Sequence, residues 1–269
     1  MTSDETGKVE VVSRHRPRHD PPRVLLTNDD GIESPGLWAL AEDLSEAYEV
    51  LVVAPDGERS GSGTGIGFFD PGSGVSVTPT EVNGKEGYAL AGPPGLAVMS
   101  AMLGAFGEVP DLVVSGVNPG INTGHSVLHS GTVGAVLTAR TFGCDGVAVS
   151  LAHSEPWRWS TAVTLARKVV DWVLFRGGGR STINLNVPGL DLADVRGFRW
   201  ADLDEFGFFR VAMADVPGRR LQFEVGSPDS GLDPASDTAL VREGYATLTP
   251  LNSVEPAPFP SGEAPGPAI

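Results

Sequence analysis

Two adjacent carboxylates, Asp29 and Asp30, follow a short apolar run at residues 24–26 and precede Gly31. In an open α/β sheet, ligands bind just beyond the carboxyl ends of the strands. Two carboxylates on a loop turned by a glycine are oxygen ligands that suit a hard divalent cation. The Asp-Gly pair is also common in ordinary tight turns, so this motif alone fits either a turn or a metal site.

Three further segments carry groups that could bind a metal ion or a phosphate. Residues 55–63 form a glycine-rich stretch with acidic and hydroxyl side chains, and residues 115–124 form a loop with two asparagines. The tripeptide Ser130-Gly131-Thr132 opens a predicted helix, where free N–H groups and the helix dipole favour an anion. Each segment alone is typical of an ordinary loop or helix cap. The prediction of a site depends on their convergence at one end of one sheet.

The elements that must position these loops alternate between strands and helices. Apolar runs predict strands at residues 24–27, 50–54, 88–91, 112–115, 147–150 and 182–186. Helices are predicted from Ser34, a candidate N-cap, to residue 44, and at residues 94–106, 131–140 and 161–175. The weaker stretch before residue 88 could hold a hairpin. This alternation indicates an α/β fold with a mainly parallel sheet, flanking helices and right-handed crossovers.

From about residue 195 the pattern changes to strands without obvious helices between them, at residues 198–200, 206–211, 221–225 and 245–248. This C-terminal β-rich extension, about residues 195–250, is predicted to form either an oligomer contact or an added edge of the sheet. Residues 1–23 are polar and mixed in charge, and residues 254–269 are rich in Pro, Gly and Ala. We predict a disordered arm and a flexible tail on either side of one domain, residues 24–253.

Composition excludes several classes of function. The formal net charge of −15 argues against binding to a nucleic-acid polymer, because that binding needs a basic surface. A small phosphorylated substrate is compatible with this charge, since a bound metal ion can neutralise phosphate locally. Cys144 is the single cysteine, so no intramolecular disulfide can form. No run approaches the roughly 20 apolar residues of a membrane span, and the N-terminal segment lacks an apolar signal core, so we predict a cytoplasmic protein.

A series of short motifs runs through the chain. They are Leu-Thr-Asn-Asp-Asp-Gly-Ile at 26–32, Ser-Pro-Gly-Leu at 34–37, Val-Ala-Pro-Asp at 53–56 with Arg-Ser at 59–60, Ser-Gly-Val-Asn-Pro-Gly at 115–120, Ser-Gly-Thr-Val-Gly at 130–134, Asn-Leu-Asn-Val-Pro at 184–188, Asp-Thr-Ala at 237–239, Gly-Tyr at 244–245 and Leu-Thr-Pro-Leu at 248–251. In this order they closely resemble the SurE family, the survival-protein nucleotidases, over about residues 24–252.

The resemblance implies a Rossmann-like α/β fold with a C-terminal β extension that is exchanged between subunits, and hence a homodimer or homotetramer. It also implies a divalent-metal-dependent phosphatase acting on a small nucleotide, a nucleoside 5′- or 3′-monophosphate. The family's metal ligands fall here on Asp29, Asp30, Ser60 and Asn118, and all four are present. Such ligands suit one Mg²⁺ or Mn²⁺ ion per subunit.

The chemistry of these residues agrees with phosphate-ester hydrolysis. A metal ion held by Asp29 and Asp30 would neutralise the phosphate and lower the pKa of a bound water. The N–H groups at the start of the helix near residue 131 would hold phosphoryl oxygens and stabilise the transition state. The nucleophile is either a water oriented by Asp29 or Asp29 itself. The predicted site residues are, for catalysis, Asp29, Asp30 and Asn118 and, for phosphate binding, Asn28, Asn122, Ser130, Gly131 and Thr132.

Two segments depart from the family pattern. Residues 92–98 read Gly-Pro-Pro-Gly-Leu-Ala-Val where the family usually has Gly-Thr-Pro-Ala-Asp-Cys-Val, and residues 64–67 read Thr-Gly-Ile-Gly where it often has His-Ser-Ile-Thr. Neither change touches the four implied metal ligands, but both remove polar groups near the expected substrate cleft. Two alternatives therefore stay open: a non-catalytic or repurposed ligand-binding protein, and a phosphatase for another small phosphomonoester or a short polyphosphate.

Overall fold

The computed structural model describes residues 19–68, 72, 74–176, 181–205, 210–214, 222–226 and 231–254. The strands are β1 (Arg23–Thr27), β2 (Glu49–Pro55), β3 (Val77–Val82), β4 (Lys85–Leu90), β5 (Leu112–Pro119), β6 (Asp145–Leu151), β7 (Thr182–Val187), β8 (Phe198–Trp200), β9 (Arg210–Ala214), β10 (Gln222–Gly226) and β11 (Ala246–Pro250). The helices are α1 (Pro35–Leu44), α2 (Pro94–Met102), α3 (Gly131–Thr141), α4 (Trp159–Phe175) and α5 (Asp237–Arg242).

Nine of these strands form one sheet in the order β3-β4-β2-β1-β5-β6-β7-β11-β8. The six strands from β4 to β7 in that order all run parallel to one another. The outer pairs differ, since β3 is antiparallel to β4 and β11 is antiparallel to β7. The predicted α/β class with a mainly parallel sheet is confirmed. Because β1, β2 and β5 are parallel neighbours, the loops that follow them leave the same edge of the sheet.

Helices cover both faces of the sheet, which explains why its central strands read as continuous apolar runs. In β1, Val24 and Leu26 enter a core that also contains Leu37 of α1 and Val169 of α4. Leu25, which lies between them, faces the opposite core, shared with residues of α2 and α3. Both faces of β1 are therefore buried. The polar residues that follow β1 begin at the end of a strand that is held by packing on both sides.

Several boundaries differ from those predicted, for local physical reasons. The predicted helix ending at residue 106 stops at Met102, because Gly104 has a left-handed backbone with φ of +85° shortly after it. The predicted loop from residue 116 begins later, since β5 extends to Pro119 and a short 3₁₀ helix spans Gly124–His129. The hairpin anticipated before residue 88 is present as β3 and β4.

The C-terminal extension divides into two parts. Strands β8 and β11 continue the main sheet as its edge, whereas β9 and β10 pair only with each other among the described residues. The predicted strands at 206–211 and 221–225 overlap this second pair, although residues 206–209 and 221 lie outside the described residues. Helix α5 was not anticipated, because six residues are too few for a periodic pattern. It is capped by the hydroxyl of Ser236, which accepts a hydrogen bond from the N–H of Ala239.

The folded part of the chain begins before the predicted boundary at residue 23. The His19 ring contacts Asp111 at 2.8 Å and Glu108 at 2.9 Å. Arg23 lies in β1, and its guanidinium donates to the carbonyl oxygen of Glu108 at 2.6 Å. The rest of the predicted arm, residues 1–18, and the predicted tail from residue 255 lie outside the described residues. None of the helices in the described part of the chain has the length and apolar character of a membrane span.

Candidate active site

The loop after β1 is held in shape by Asn28. Its amide group donates to the carbonyl oxygen of Gly31 at 3.0 Å, and its side-chain oxygen accepts the N–H of Gly31 at 3.2 Å. Gly31 has φ of +104°, and a Cβ there would lie 3.0 Å from the backbone of Gly57. Asn28 is fully buried and braces this turn. Its predicted contact with phosphate stays a prediction.

The carboxylate of Asp29 connects the β1 loop to the start of α3. Its Oδ2 accepts the N–H of Gly131 at 3.1 Å, and its Oδ1 accepts the hydroxyl of Thr132 at 2.5 Å. Its backbone oxygen accepts the N–H of Arg59 at 2.7 Å, which joins the loop after β2 to the same point. Burial raises the pKa of Asp29, and the bonds from Thr132 and Gly131 oppose that rise. Three of the four predicted segments therefore meet at this one residue, two of them through contacts with its side chain or backbone.

One carboxylate oxygen of Asp30, Oδ2, has no hydrogen-bond partner among the described residues. Its Oδ2 is buried and accepts no hydrogen bond from the part of the chain that the structure describes. Burial, as the largest cause, and the negative charges of Asp29 and Glu58 together raise the pKa of Asp30 to about 7. A buried, unpaired carboxylate oxygen beside other acids is unfavourable unless a cation neutralises it.

The loop after β2 places its charged side chains near the surface. The hydroxyl of Ser60 donates to Glu58 at 3.0 Å, and both side chains are exposed. Arg59 forms an ion pair with Asp56 at 2.8 Å, so its guanidinium is already engaged. Ser60 thus lies in the loop after β2, and its described side-chain contact is with Glu58. Its role as a metal ligand stays a prediction.

Ser62 is a residue of this loop that sequence reasoning missed. Its hydroxyl is buried and has no hydrogen-bond partner among the described residues. A Cβ built on Gly131 would lie 2.6 Å from this hydroxyl oxygen and 2.8 Å from Oδ2 of Asp29. The absence of a side chain at Gly131 therefore lets the Ser62 hydroxyl and the Asp29 carboxylate pack directly against the start of α3, where a Cβ would clash with both. Only its position two residues after Ser60 could have marked Ser62 in the sequence.

The start of α3 is built as predicted for a helix N-terminus. The hydroxyl of Ser130 accepts the N–H of Val133 at 3.1 Å, so Ser130 is the N-cap. Ser130 and Thr132 are both buried, and Thr132 and Gly131 both contact Asp29. The predicted phosphate-binding tripeptide and the predicted metal-binding carboxylate are therefore direct neighbours.

The remaining predicted residues lie at the end of β5, the strand beside β1. Asn118 is half-buried, and its amide donates to the carbonyl oxygen of Gly120 at 2.6 Å. It pairs in register with Ser150 of β6, after an irregularity in the β5–β6 ladder that starts at Ser115. This irregularity turns the strand end before Asn118, as β-bulges beside functional sites commonly do.

Asn122 is fixed by the ends of two other strands. Its side-chain amide donates to the hydroxyl of Ser150 at 2.8 Å, and its N–H donates to the side chain of Asn186 at 2.8 Å. Its carbonyl oxygen accepts the amides of Asn184 at 2.8 Å and Asn186 at 2.9 Å. The backbone of the loop is thereby anchored to β6 and β7. The predicted phosphate contact of Asn122 stays a prediction.

The side chains near Asp29 and Asp30 can be compared with the ligands that the divalent metal ion implied by the resemblance would need. The described residues contain no group of three or more His, Cys, Asp or Glu placed to hold a metal. Of the four predicted ligands, Asp29 and Asp30 are carboxylates, and Ser60 and Asn118 offer neutral oxygens. Such a set suits Mg²⁺ or Mn²⁺ and not a soft metal. The unpaired Oδ2 of Asp30 fits a cation at this place.

Comparisons with known proteins agree with this architecture. Residues 24–207 match the family model described as "Survival protein SurE". The 5′-nucleotidase SurE of Alkalilimnicola ehrlichii is 37% identical over 85% of this chain and 88% of its own length. The 5′/3′-nucleotidase SurE of Cronobacter sakazakii is 37% identical over 86% of this chain and 90% of its own. The crystal structure of the SurE protein from Aquifex aeolicus superposes with a TM-score of 0.72 at 27% identity, covering 86% of this chain and 93% of that one.

Proposed function

Because this chain belongs to the SurE family, we propose that it is a phosphatase that hydrolyses nucleoside 5′- and 3′-monophosphates and depends on a divalent metal ion. The substrate class is supported by the names of its relatives, which are 5′-nucleotidases and in one case a 5′/3′-nucleotidase. The structural observation that carries the proposal is the contact between Asp29 and Gly131 at the N-terminus of α3, beside the unpaired oxygen of Asp30.

We propose that Asp29, Asp30, Ser60 and Asn118 hold one Mg²⁺ or Mn²⁺ ion per subunit. The ion would supply positive charge against the phosphate dianion and lower the pKa of a bound water. Support comes from the chemistry of these donors and from the buried carboxylate oxygen of Asp30 that lacks a partner among the described residues. Burial and, after it, repulsion from Asp29 and Glu58 raise the pKa of Asp30, and a cation would offset both effects.

The start of α3 suits the phosphoryl group. The N–H of Gly131 donates to an anion, the Asp29 carboxylate, so its position suits negative charge, and a phosphate oxygen would share this N–H with Asp29. The hydroxyl of Ser62 has no partner in the described part of the chain and lies beside this N–H, so it is a further donor to that oxygen. These donors are fixed before substrate arrives, which is the condition for stabilising charge in the transition state.

We favour water as the nucleophile over Asp29 itself. Both oxygens of Asp29 accept hydrogen bonds, which orient the carboxylate and reduce its ability to attack phosphorus. Burial raises the pKa of Asp29, which makes it a better proton acceptor. The water oxygen would bond to phosphorus as the bond from phosphorus to the ester oxygen breaks, Asp29 would accept the water proton, and the ester oxygen would take a proton from solvent and leave as the nucleoside alcohol. The products are a nucleoside and inorganic phosphate.

We also propose that the protein acts as a homodimer or homotetramer in the cytoplasm. The pair β9–β10 supports the oligomer, because it is separate from the main sheet and could extend towards another subunit. Multi-angle light scattering on the full chain measures the subunit number directly. A mass equal to one subunit would refute the oligomer without affecting the proposed activity.

The test of the proposed activity is phosphate release from a panel of nucleoside 5′- and 3′-monophosphates, p-nitrophenyl phosphate and short polyphosphates. Each reaction is run with Mn²⁺, with Mg²⁺ and with EDTA. We expect metal-dependent release from the nucleotides that is lost in Asp29→Asn. Asp43→Asn is the matched control, because Asp43 lies on α1 and forms an ion pair with Arg167 away from these loops.

The outcomes separate the open alternatives. Release that persists unchanged in Asp29→Asn would refute the assigned role of this carboxylate. Release from polyphosphate or another phosphomonoester alone would replace the nucleotide as substrate. Binding of Mn²⁺ and nucleotide without release from any substrate, by protein whose circular dichroism shows it is folded, would identify a non-catalytic ligand-binding protein.

A further inference from the structure

A buried carboxylate outside the proposed site is hydrogen-bonded to the loop that leads into it. Asp237, the first residue of α5, is completely buried. Its two oxygens accept the N–H of Gly124 at 2.9 and 3.2 Å. One of these oxygens also accepts the N–H groups of Asp204 at 3.1 Å and Thr238 at 2.8 Å. This single side chain therefore joins three segments of the chain.

A second contact supports the first. The hydroxyl of Thr238 donates to the hydroxyl of Thr123 at 2.9 Å, and both side chains are fully buried. Thr123 and Gly124 directly follow Asn122, which is itself anchored to β6 and β7. Two successive residues of the loop after β5 are thus bonded to two successive residues of α5.

The contacted point lies in the middle of the segment that builds the site. Asn118 precedes it, and the 3₁₀ helix Gly124–His129 follows it and leads to Ser130, the N-cap of α3. Because Asn122 is itself anchored to β6 and β7, a displacement at Gly124 would pass along the 3₁₀ helix towards the N–H of Gly131. Fixed geometry at such groups is what a site for phosphoryl transfer requires, because misplacement of about 1 Å can cost about a hundredfold in rate.

The donors around Asp237 explain why an acid is needed there. Three backbone N–H groups converge on its carboxylate, and each would be buried without a partner if the acceptor were lost. All three N–H groups reach Oδ1, and the N–H of Gly124 makes its shorter bond, 2.9 Å, to Oδ2. An asparagine has the same shape, but its amide nitrogen in place of Oδ2 would point N–H groups at the N–H of Gly124, so this shorter bond would be lost and the two donors would repel each other.

We infer that Asp237 is a positioning residue for the metal- and phosphate-binding loop, so that the C-terminal segment around residues 236–238 completes the active site. This inference rests on the proposed function for its kinetic consequence. It extends beyond the residues that the family model matches, which end at 207. Asp237 acts through the loop and does not itself contact substrate.

The test compares Asp237→Asn with Asp233→Asn in the full-length protein. Asp233 is a matched control because its carboxylate also accepts a backbone N–H, that of Ala235 at 2.9 Å, but lies in an exposed turn. We expect Asp237→Asn to lower kcat for p-nitrophenyl phosphate and to weaken Mn²⁺ binding, each by about 10- to 100-fold. We expect hydrogen–deuterium exchange at residues 120–130 to speed up in this variant alone.

These measurements distinguish positioning from general support of the fold. Kinetics are measured well below the unfolding temperature of each variant, where a role limited to stability leaves kcat and Mn²⁺ affinity unchanged. If Asp237→Asn does not fold, Thr238→Val replaces it, because it removes the hydroxyl bonds to Thr123 and Asp237 and leaves the Asp237 carboxylate and its backbone donors in place. Unchanged exchange at residues 120–130, or equal kinetics in the two Asp→Asn variants, would overturn the inference. If the wild type hydrolyses no phosphoester, the proposed function fails. Hydrogen–deuterium exchange at residues 120–130 and the affinity for Mn²⁺ then still decide whether Asp237 positions the loop.

Discussion

Replacing Asp30 by asparagine should stabilise the metal-free protein at neutral pH and abolish its further stabilisation by a divalent metal. Oδ2 of Asp30 is buried without a partner among the described residues, and Asp29 and Glu58 repel its charge. Burial, as the larger cause, raises its pKa from 3.8 to about 7. The folded state therefore holds this proton more tightly than the unfolded state. The resulting contribution to stability is complete below pH 3.8 and is lost as the pH rises through about 7.

The size of the effect follows from this difference. The rise from 3.8 to about 7 corresponds to about 4 kcal/mol, at about 1.4 kcal/mol for each pKa unit. This is an upper limit, and because the side chain is only partly buried, solvent screening reduces the expected gain in Asp30→Asn to about 2 kcal/mol. For a domain of this size, that gain raises the unfolding temperature by about 4 to 8 °C.

The assay is thermal unfolding of wild type, Asp30→Asn and the control Asp43→Asn in EDTA and in Mn²⁺. In EDTA, the advantage of Asp30→Asn over wild type should grow from about pH 4 to about pH 7 and then stay level, because in this range the unfolded state loses the Asp30 proton while the folded state keeps it. With Mn²⁺ at a hundred times its Kd, wild type should gain about 2.7 kcal/mol and Asp30→Asn almost nothing. The reasoning is wrong if Asp30→Asn is no more stable than wild type in EDTA near pH 8, or if Mn²⁺ stabilises both equally.

Two further substitutions test the geometry of the site and of its support. Gly131→Ala should lower kcat by about a hundredfold or more, because the added Cβ would lie 2.6 Å from the hydroxyl of Ser62. Gly57→Ala, whose Cβ would meet nothing within 4 Å, is its control, and similar kinetics in the two would contradict the prediction. Tyr48→Phe should lower the free energy of unfolding by about 2 kcal/mol in urea, since the hydroxyl donates to Asp171 of α4. A change in its kcat would show that this contact also affects the site.

The α/β fold could be predicted because its strands are buried on both faces and therefore read as apolar runs. The ends of the strands were harder to predict. Strand β5 was expected to end at Ser115, where the apolar residues stop, but its ladder with β6 resumes at Asn118 after an irregularity. Hydrophobic patterns report side-chain burial, whereas a strand is defined by backbone hydrogen bonds that polar residues make equally well. For the same reason, the six residues of α5 left no periodic signal.

The meeting of Asp29 with Gly131 and Thr132 could also be predicted, because parallel strands deliver their following loops to one edge of the sheet. The roles of Ser62 and Asp237 could not. Asp237 lies 113 residues after Gly124 in the chain, and nothing in its local pattern indicates which N–H groups it will meet. Contacts of this kind depend on how the C-terminal extension folds back over the loop, which sequence spacing does not encode.

The two departures from the family pattern lie against each other in the structure, and this bears on whether the site is a relic. A Cβ on Gly95 would come within 2.9 Å of the carbonyl oxygen of Gly65 and 3.4 Å of that of Thr64. A Cβ on Gly67 would lie 3.2 Å from the ring of Pro93. The loop backbone thus occupies space that larger side chains at the start of α2 would need, and Leu96, where the family has aspartate, is buried in the core. The contacts of Asp29 with Gly131 and Thr132 are present in the same chain, so the altered rim has not dismantled this part of the candidate site.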